Sequence, residues 1–185
     1  MRAVVVYETH WGNTAAVAEA IAGAIGPDAL ALPVSQATPE RLAGADLVVA
    51  GAPVWAFGLP HERNIEGMRK TSTGPLPDLR GPALRTWLTD LPHGQAHGRG
   101  AAFETRMRWT LGGATGAIER GLQAAGYAPL GRPARFVVRG TVGPLRDGEL
   151  EKARAWGRAL SRSIAEGAEG HGPKTADGSQ AQEEA

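Results

Sequence analysis

Thr9, Gly12, Asn13 and Thr14 stand together in Glu8-Thr9-His10-Trp11-Gly12-Asn13-Thr14, directly after an apolar run and directly before a helical pattern. A loop so placed turns several backbone N–H groups toward one point, with two Thr hydroxyls and an Asn amide beside them. That donor set suits a phosphate. The helix terminus contributes about 0.3–2 kcal/mol, whereas each hydrogen bond to a charged group is worth about 1.5–3 kcal/mol. The number of donors therefore decides affinity. No Lys or Arg lies in the loop. A Walker loop requires Gly-Lys-Ser/Thr at the helix start and a dinucleotide fold requires G-x-G-x-x-G; the loop has neither. The same residues also read as an ordinary capped turn with Asn13 as N-cap.

A second group is Pro53-Val54-Trp55-Ala56-Phe57-Gly58. Trp55 and Phe57 offer flat apolar faces to a ring. One stacked aromatic buries about 150–250 Å², which at about 25 cal/mol per Å² gives at most about 4–6 kcal/mol. Alternatively Trp55 belongs to the core and Phe57 caps a surface.

Other chemistries lack their residues. With no Cys, a disulfide scaffold, a thiolate metal site, an iron–sulfur centre and a cysteine nucleophile are excluded. His93 and His97 stand four apart, but Pro92, Gly94 and Gly98 make that segment a loop with no third ligand evident. There is no G-x-S-x-G elbow, and Ala50-Gly51-Ala52-Pro53 lacks the Asp of a phosphorylated receiver domain. His10 and His61 read first as solvated loop histidines and second as proton donors beside a ring.

The elements that must position these residues alternate. Arg2–Tyr7, Ala29–Val34, Asp46–Ala52, Gly100–Phe103 and Ala134–Arg139 read as strands. Helical spacing covers Asn13–Ile25, a short segment from Thr38-Pro39-Glu40 to Ala43, then Leu79–Leu91, Ala114–Ala125 and Glu149–Ala165. Five strands alternating with helices predict a parallel sheet covered on both faces. Ligands then bind where strand ends meet helix starts, so the loops after the first, third and fourth strands carry the chemistry.

The chain has 185 residues, 42% of them apolar, enough for one domain with a sizeable core. Its start is too short an apolar run for a signal peptide, and no stretch reaches the ~20 apolar residues of a membrane span. A cytoplasmic protein is expected. Residues 1–166 form the expected domain, with 59–80 as an inserted loop controlling access to the site, and 167–185 read as a disordered tail. Residues 1–166 hold nineteen Lys and Arg against fifteen Asp and Glu, a net charge of +4. Seventeen of the chain's twenty cations are Arg and they are scattered, so no nucleic-acid surface is expected.

Tyr7-Glu8-Thr9-His10-Trp11-Gly12-Asn13-Thr14 resembles the FMN-phosphate loop of flavodoxins, commonly T-x-T/S-G-N-T after the first strand. Thr9, Gly12, Asn13 and Thr14 match, whereas Trp11 stands where a Thr or Ser hydroxyl is usual. Gly51-Ala52-Pro53-Val54-Trp55-Ala56-Phe57-Gly58 resembles the loop covering one flavin face, and Ala102-Phe103-Glu104-Thr105-Arg106 the strand and loop over the other. Gly140–Leu145 with Glu149–Leu160 is similar to the last turn and helix of actinobacterial flavodoxin-like proteins. The resemblance implies a three-layer α/β fold with strand order 2-1-3-4-5, of the short-chain type, and non-covalent FMN. It implies that Thr9, His10, Trp11, Gly12, Asn13 and Thr14 hold the phosphate end. Pro53, Val54, Trp55, Ala56, Phe57 and Gly58 would lie against the ring, with Gly58 supplying a peptide that turns toward N5 on reduction. Glu104, Thr105 and Arg106 would approach the pyrimidine edge through their backbone. Trp109 would stack on the second face or pack on the next helix.

Three functions follow. The first is an electron carrier between an NAD(P)H-dependent reductase and a redox partner. The second is an FMN-dependent oxidoreductase acting on a quinone, porphyrinogen or similar small molecule. The third is a flavin-free binding module, for which Trp11 is the hint.

Overall fold

The computed structural model describes residues 1–55, 57–60, 81–94 and 96–169. Ala56, the stretch 61–80 (with His61 and nearly all of the expected inserted loop) and most of the expected tail lie outside them.

The described chain runs β1 (Ala3–Tyr7), α1 (Asn13–Ile25), β2 (Ala29–Pro33), a 3-10 turn (Val34–Gln36), α2 (Pro39–Leu42), β3 (Leu47–Pro53), α3 (Leu84–Asp90), β4 (Arg99–Met107), α4 (Thr115–Ala125), β5 (Ala128–Pro129), β6 (Ala134–Val138) and α5 (Glu149–Glu169). All strand pairs are parallel and the order is β2-β1-β3-β4-β5, as expected. The fifth position is shared. β5 pairs with Arg99 and Gly100, whereas β6 pairs with Phe103–Met107 farther along the same strand.

Alternation along the strands splits the core in two. Val4, Val6, Val48, Ala50 and Ala52 pack with Leu84 and Leu88 of α3 and Ile118 and Leu122 of α4. Ala3, Val5, Leu47, Val49 and Phe103 pack with Val17 and Ile21 of α1 and Ala153 and Leu160 of α5. Burial on both faces explains why β1 and β3 read as continuous apolar runs.

Three boundaries differ from expectation by more than two residues. α3 starts at Leu84 rather than Leu79, because Pro82 disfavours helix at Gly81 and Ala83 is extended (φ −70°, ψ 143°) as the N-cap. β4 continues to Met107, four residues past Phe103, because its polar residues Glu104, Thr105 and Arg106 find partners described below. α5 continues to Glu169, past the domain boundary placed at residue 166. Among the described residues no helix is long and apolar enough to cross a membrane.

Candidate functional site

Tyr7, Gly51, Phe103 and Ala134 lie in one register row across β1, β3, β4 and β6. Beyond that row each strand ends within a few residues. The loops that follow all leave from the carboxyl edge of the sheet, where open α/β sheets bind ligands. They enclose a cavity of about 230 Å³ lined by Thr9, His10, Trp11, Asn13, Thr14, Pro53, Val54, Trp55, Thr105, Arg106, Met107, Val138 and Thr141. Ten of these are residues singled out from the sequence. Met107, Val138 and Thr141 are additions. Met107 sits two places after Thr105 on β4 and pairs with Val138, so only the register could place them together.

At the phosphate-type loop, Gly12 rather than Asn13 is the N-cap of α1, and its φ of 82° is a left-handed conformation that suits glycine. The Gly12 N–H donates to Thr9 Oγ1 at 3.1 Å, which leaves the Thr9 hydroxyl proton to be donated elsewhere. The Asn13 side chain donates instead to the Val142 carbonyl at 2.8 Å, clamping α1 to the loop after β6. Thr14 Oγ1 and Thr105 Oγ1 are 2.8 Å apart and buried, so one of the two protons is available to a ligand. The first-turn N–H groups of α1 complete the donor set.

Beside this loop the Trp11 and Trp55 rings stack at 5.6 Å between centroids and 5° between planes. His10 stands edge-on to both, 6.0 Å from Trp11 and 5.3 Å from Trp55. It is only 6% exposed, not a solvated loop histidine. The physical reason is Glu8, itself buried, whose Oε1 lies 3.1 Å from His10 Nε2. The other oxygen of Glu8 accepts the Leu84 N–H at 2.8 Å and so caps α3.

At the end of β4, Glu104 points inward and is fully buried. Its Oε2 accepts the N–H groups of Ala114 (2.7 Å) and Thr115 (3.1 Å), at the start of α4. Its Oε1 pairs with Arg106 Nη1 at 2.9 Å and with Arg135 Nε at 3.5 Å. Arg106 Nη1 also donates to the Gly112 carbonyl at 2.9 Å and Nη2 to that of Thr110. The Glu104 side chain therefore builds the wall without lining the cavity. Trp109 is 69% exposed on the 108–113 segment and is not among the lining residues.

The loop after β3 is a tight turn, closed by Trp55 N–H to Gly58 O at 2.8 Å and Gly58 N–H to Trp55 O at 2.9 Å. Phe57 is 67% exposed and adopts φ 80°. Its carbonyl accepts the Gly113 N–H at 3.1 Å. Both polar groups of the Phe57–Gly58 peptide are thus engaged, and turning that peptide toward a ligand costs two hydrogen bonds of about 0.5–1.5 kcal/mol each unless the ligand replaces them. The left-handed conformation costs a non-glycine residue about 1–2 kcal/mol, partly offset by the chain entropy a glycine would lose. Phe57→Gly is therefore expected to raise stability by about 0.5–1 kcal/mol in urea unfolding. A loss of that size would show that the Phe57 ring makes contacts that matter.

A phosphate-bearing flat ring fits these residues in two parts. The hydroxyls and amides of the loop are the donors a phosphate end would require. The ring end fits if the indoles part, because two contacts of about 3.5 Å need some 7 Å between parallel faces. The cavity is correspondingly smaller than the ~300–1,000 Å³ usual for ligand pockets.

Solved structures with the same architecture bear on this arrangement. A flavodoxin from the domain Archaea has a TM-score of 0.61 at 20% identity, covering 89% of this chain and 99% of its own. Oxidised flavodoxin 2 from Bacillus cereus has a TM-score of 0.60 at 15% identity, covering 90% and 99%. The rubredoxin oxygen:oxidoreductase of Desulfovibrio gigas has a TM-score of 0.57 at 14% identity over 89% of this chain, which spans 36% of that protein. No protein-family model matches the chain, and no curated protein matches it. At such identities the likeness shows the fold, which is flavodoxin-like.

Proposed function

We propose that this flavodoxin-like chain binds FMN non-covalently and carries electrons between a reductase and a redox partner. One observation carries the reading: a phosphate-type donor set and a pair of indoles converge on one cavity at the carboxyl edge of the sheet. Thr9, Thr14 and the first-turn amides of α1 would hold the phosphate. Trp11 and Trp55 would lie against the ring and keep water from it. Bound flavin supplies the redox chemistry, while the protein orients it and tunes its potential. A net charge of +4 over residues 1–166 suits an acidic partner.

The absorption spectrum after adding FMN and desalting tests the reading. Retained, perturbed flavin bands are expected, and a colourless protein would overturn it. Thr14→Ala removes a hydroxyl from the Thr14–Thr105 pair that meets the phosphate. It is expected to weaken FMN at least about tenfold, as for one lost charged hydrogen bond, and to leave riboflavin, which lacks the phosphate, nearly unchanged. Equal losses for the two would move the phosphate elsewhere.

A second reading, an FMN-dependent oxidoreductase acting on a quinone or similar small molecule, is favoured by the buried His10 in the cavity wall, whose Nε2 lies 3.1 Å from Glu8 Oε1. Quinone reduction takes up protons, and such a histidine can deliver them. Steady-state oxidation of NAD(P)H with a quinone and no added reductase is the expected mark of this reading. A strict requirement for a reductase favours the carrier.

A further inference from the structure

We propose that a second cavity, at the amino edge of the sheet, binds a small neutral aromatic molecule whose ketone oxygen accepts a hydrogen bond from Tyr127. The proposal does not depend on the flavin reading.

This cavity has a volume of about 710 Å³, against about 230 Å³ between the loops of the carboxyl edge. It falls within the ~300–1,000 Å³ usual for ligand pockets. Open α/β sheets bind their ligands at the other edge, so the flavin reading makes no use of it. Leu42 from α2, Leu91 and Ala96 from the connection between α3 and β4, Ala125 from α4, Leu130, and Ile164 from α5 supply apolar walls.

Backbone contacts hold those walls in place. The Arg99 N–H donates to the Asp46 carbonyl at 2.8 Å, the Ala96 N–H to that of Ala125 at 2.9 Å, and the Ala128 N–H to that of Gly98 at 3.0 Å. Two glycines permit this approach. A Cβ on Gly98 would lie 2.5 Å from the Ala45 carbonyl oxygen, and one on Gly126 would lie 2.6 Å from that of Ala96. The space is therefore formed before any ligand enters.

Tyr127 gives it one buried donor. The residue lines the cavity and is only 7% exposed, and among the described residues its hydroxyl makes no hydrogen bond. Buried tyrosine hydroxyls ordinarily have a partner. Burial pushes this hydroxyl above the usual tyrosine range, so it stays a neutral donor. The other polar side chains of the wall, Asp46, His97, Arg99 and Ser163, are exposed. The Asp46 carboxylate and the Arg99 guanidinium balance in charge, and each is engaged in part. Asp46 Oδ2 accepts the Arg2 N–H at 2.8 Å, and Arg99 Nη2 donates to the Pro129 carbonyl at 2.9 Å. A neutral ring with one acceptor oxygen answers both the apolar walls and the buried donor. Residues 170–185, which follow α5, hold no Val, Ile, Leu, Met, Phe, Tyr or Trp, so that stretch has no large apolar side chain for such walls.

Prodan is the probe, a neutral naphthalene bearing a ketone, whose emission moves to shorter wavelength in apolar surroundings. Added to the full chain it should give saturable, blue-shifted emission from one site. Tyr127→Phe removes only the hydroxyl and should weaken Prodan about three- to tenfold, as for one neutral hydrogen bond. N,N-dimethyl-2-naphthylamine, which lacks the ketone, should bind the native and Tyr127→Phe chains alike. Ala43→Trp, at an exposed position of the wall, should fill the space and abolish the blue-shifted emission. Absence of saturable binding to the native chain overturns the proposal and needs no variant. Undiminished binding to Ala43→Trp overturns it by placing the probe elsewhere. Equal Prodan affinity in Tyr127→Phe overturns it by showing that water satisfies the hydroxyl. Affinity that falls as the chain concentration rises would also overturn it, giving the cavity to a second copy of the chain.

Discussion

Glu104→Ala is expected to destabilise the fold by about 3–5 kcal/mol, the range for removing one member of a buried ion pair. The carboxylate is fully buried and serves four partners. Without it the N–H groups of Ala114 and Thr115 at the start of α4 lose their acceptor, at about 1–3 kcal/mol for each buried donor left unsatisfied. Arg106 simultaneously loses its counter-ion while keeping the Gly112 and Thr110 carbonyls. Arg135 contributes little, being mostly exposed and 3.5 Å away. Glu104→Gln separates the terms. Its amide oxygen can still accept from α4, so the cap survives, but its NH₂ then faces the Arg106 guanidinium. The expected order of stability in urea unfolding is native, Gln, Ala. An alanine variant within about 1 kcal/mol of native, a typical surface effect, would show that water or a shifted Arg106 replaces the carboxylate.

That same residue shows where the sequence ceases to be legible. β1 and β3 are plain in Val4-Val5-Val6 and Leu47-Val48-Val49-Ala50, because strands buried on both faces read as unbroken apolar runs. The second half of β4 is not plain. Glu104 and Arg106 look like loop residues, and what permits their burial is a helix start ten residues on and carbonyls of the intervening segment. The loop between β1 and α1 is legible as a loop through local composition, Thr, Gly, Asn and Thr before a helix. The Glu8–His10 pair beside it does not, since the residue that anchors Glu8 is Leu84, 76 positions away. β5 is two residues long and pairs only with Arg99 and Gly100, too short for any periodicity. Neighbours in the chain made most elements readable, though not the cap of α1 or the start of α3, and the contacts that depend on partners across the sheet were hidden.

Trp55→Ala is the variant expected to weaken FMN most, by more than tenfold. A ring laid on one indole gains at most about 4–6 kcal/mol from burial. Against this stands the Trp11–Trp55 stack, which must open to admit it. Aromatic pairs of this kind are worth about 0.5–1.5 kcal/mol beyond area, and the indole faces uncovered on opening are covered again by the inserted ring, so the ring contact wins and its loss exceeds the ~1.4 kcal/mol of a tenfold change. Because the effect belongs to the ring, riboflavin should lose affinity by the same factor as FMN. That distinguishes it from Thr14→Ala, whose loss is confined to the phosphate. Trp55→Phe should fall between, keeping a flat face with less area. Flavin fluorescence quenching titrations give all three affinities. Unchanged affinity would remove Trp55 from the ring contact. Tighter binding by the alanine variant would mean that the stacked indoles guard the site rather than form it, and the ring would then lie on Trp11, whose face Trp55 now covers.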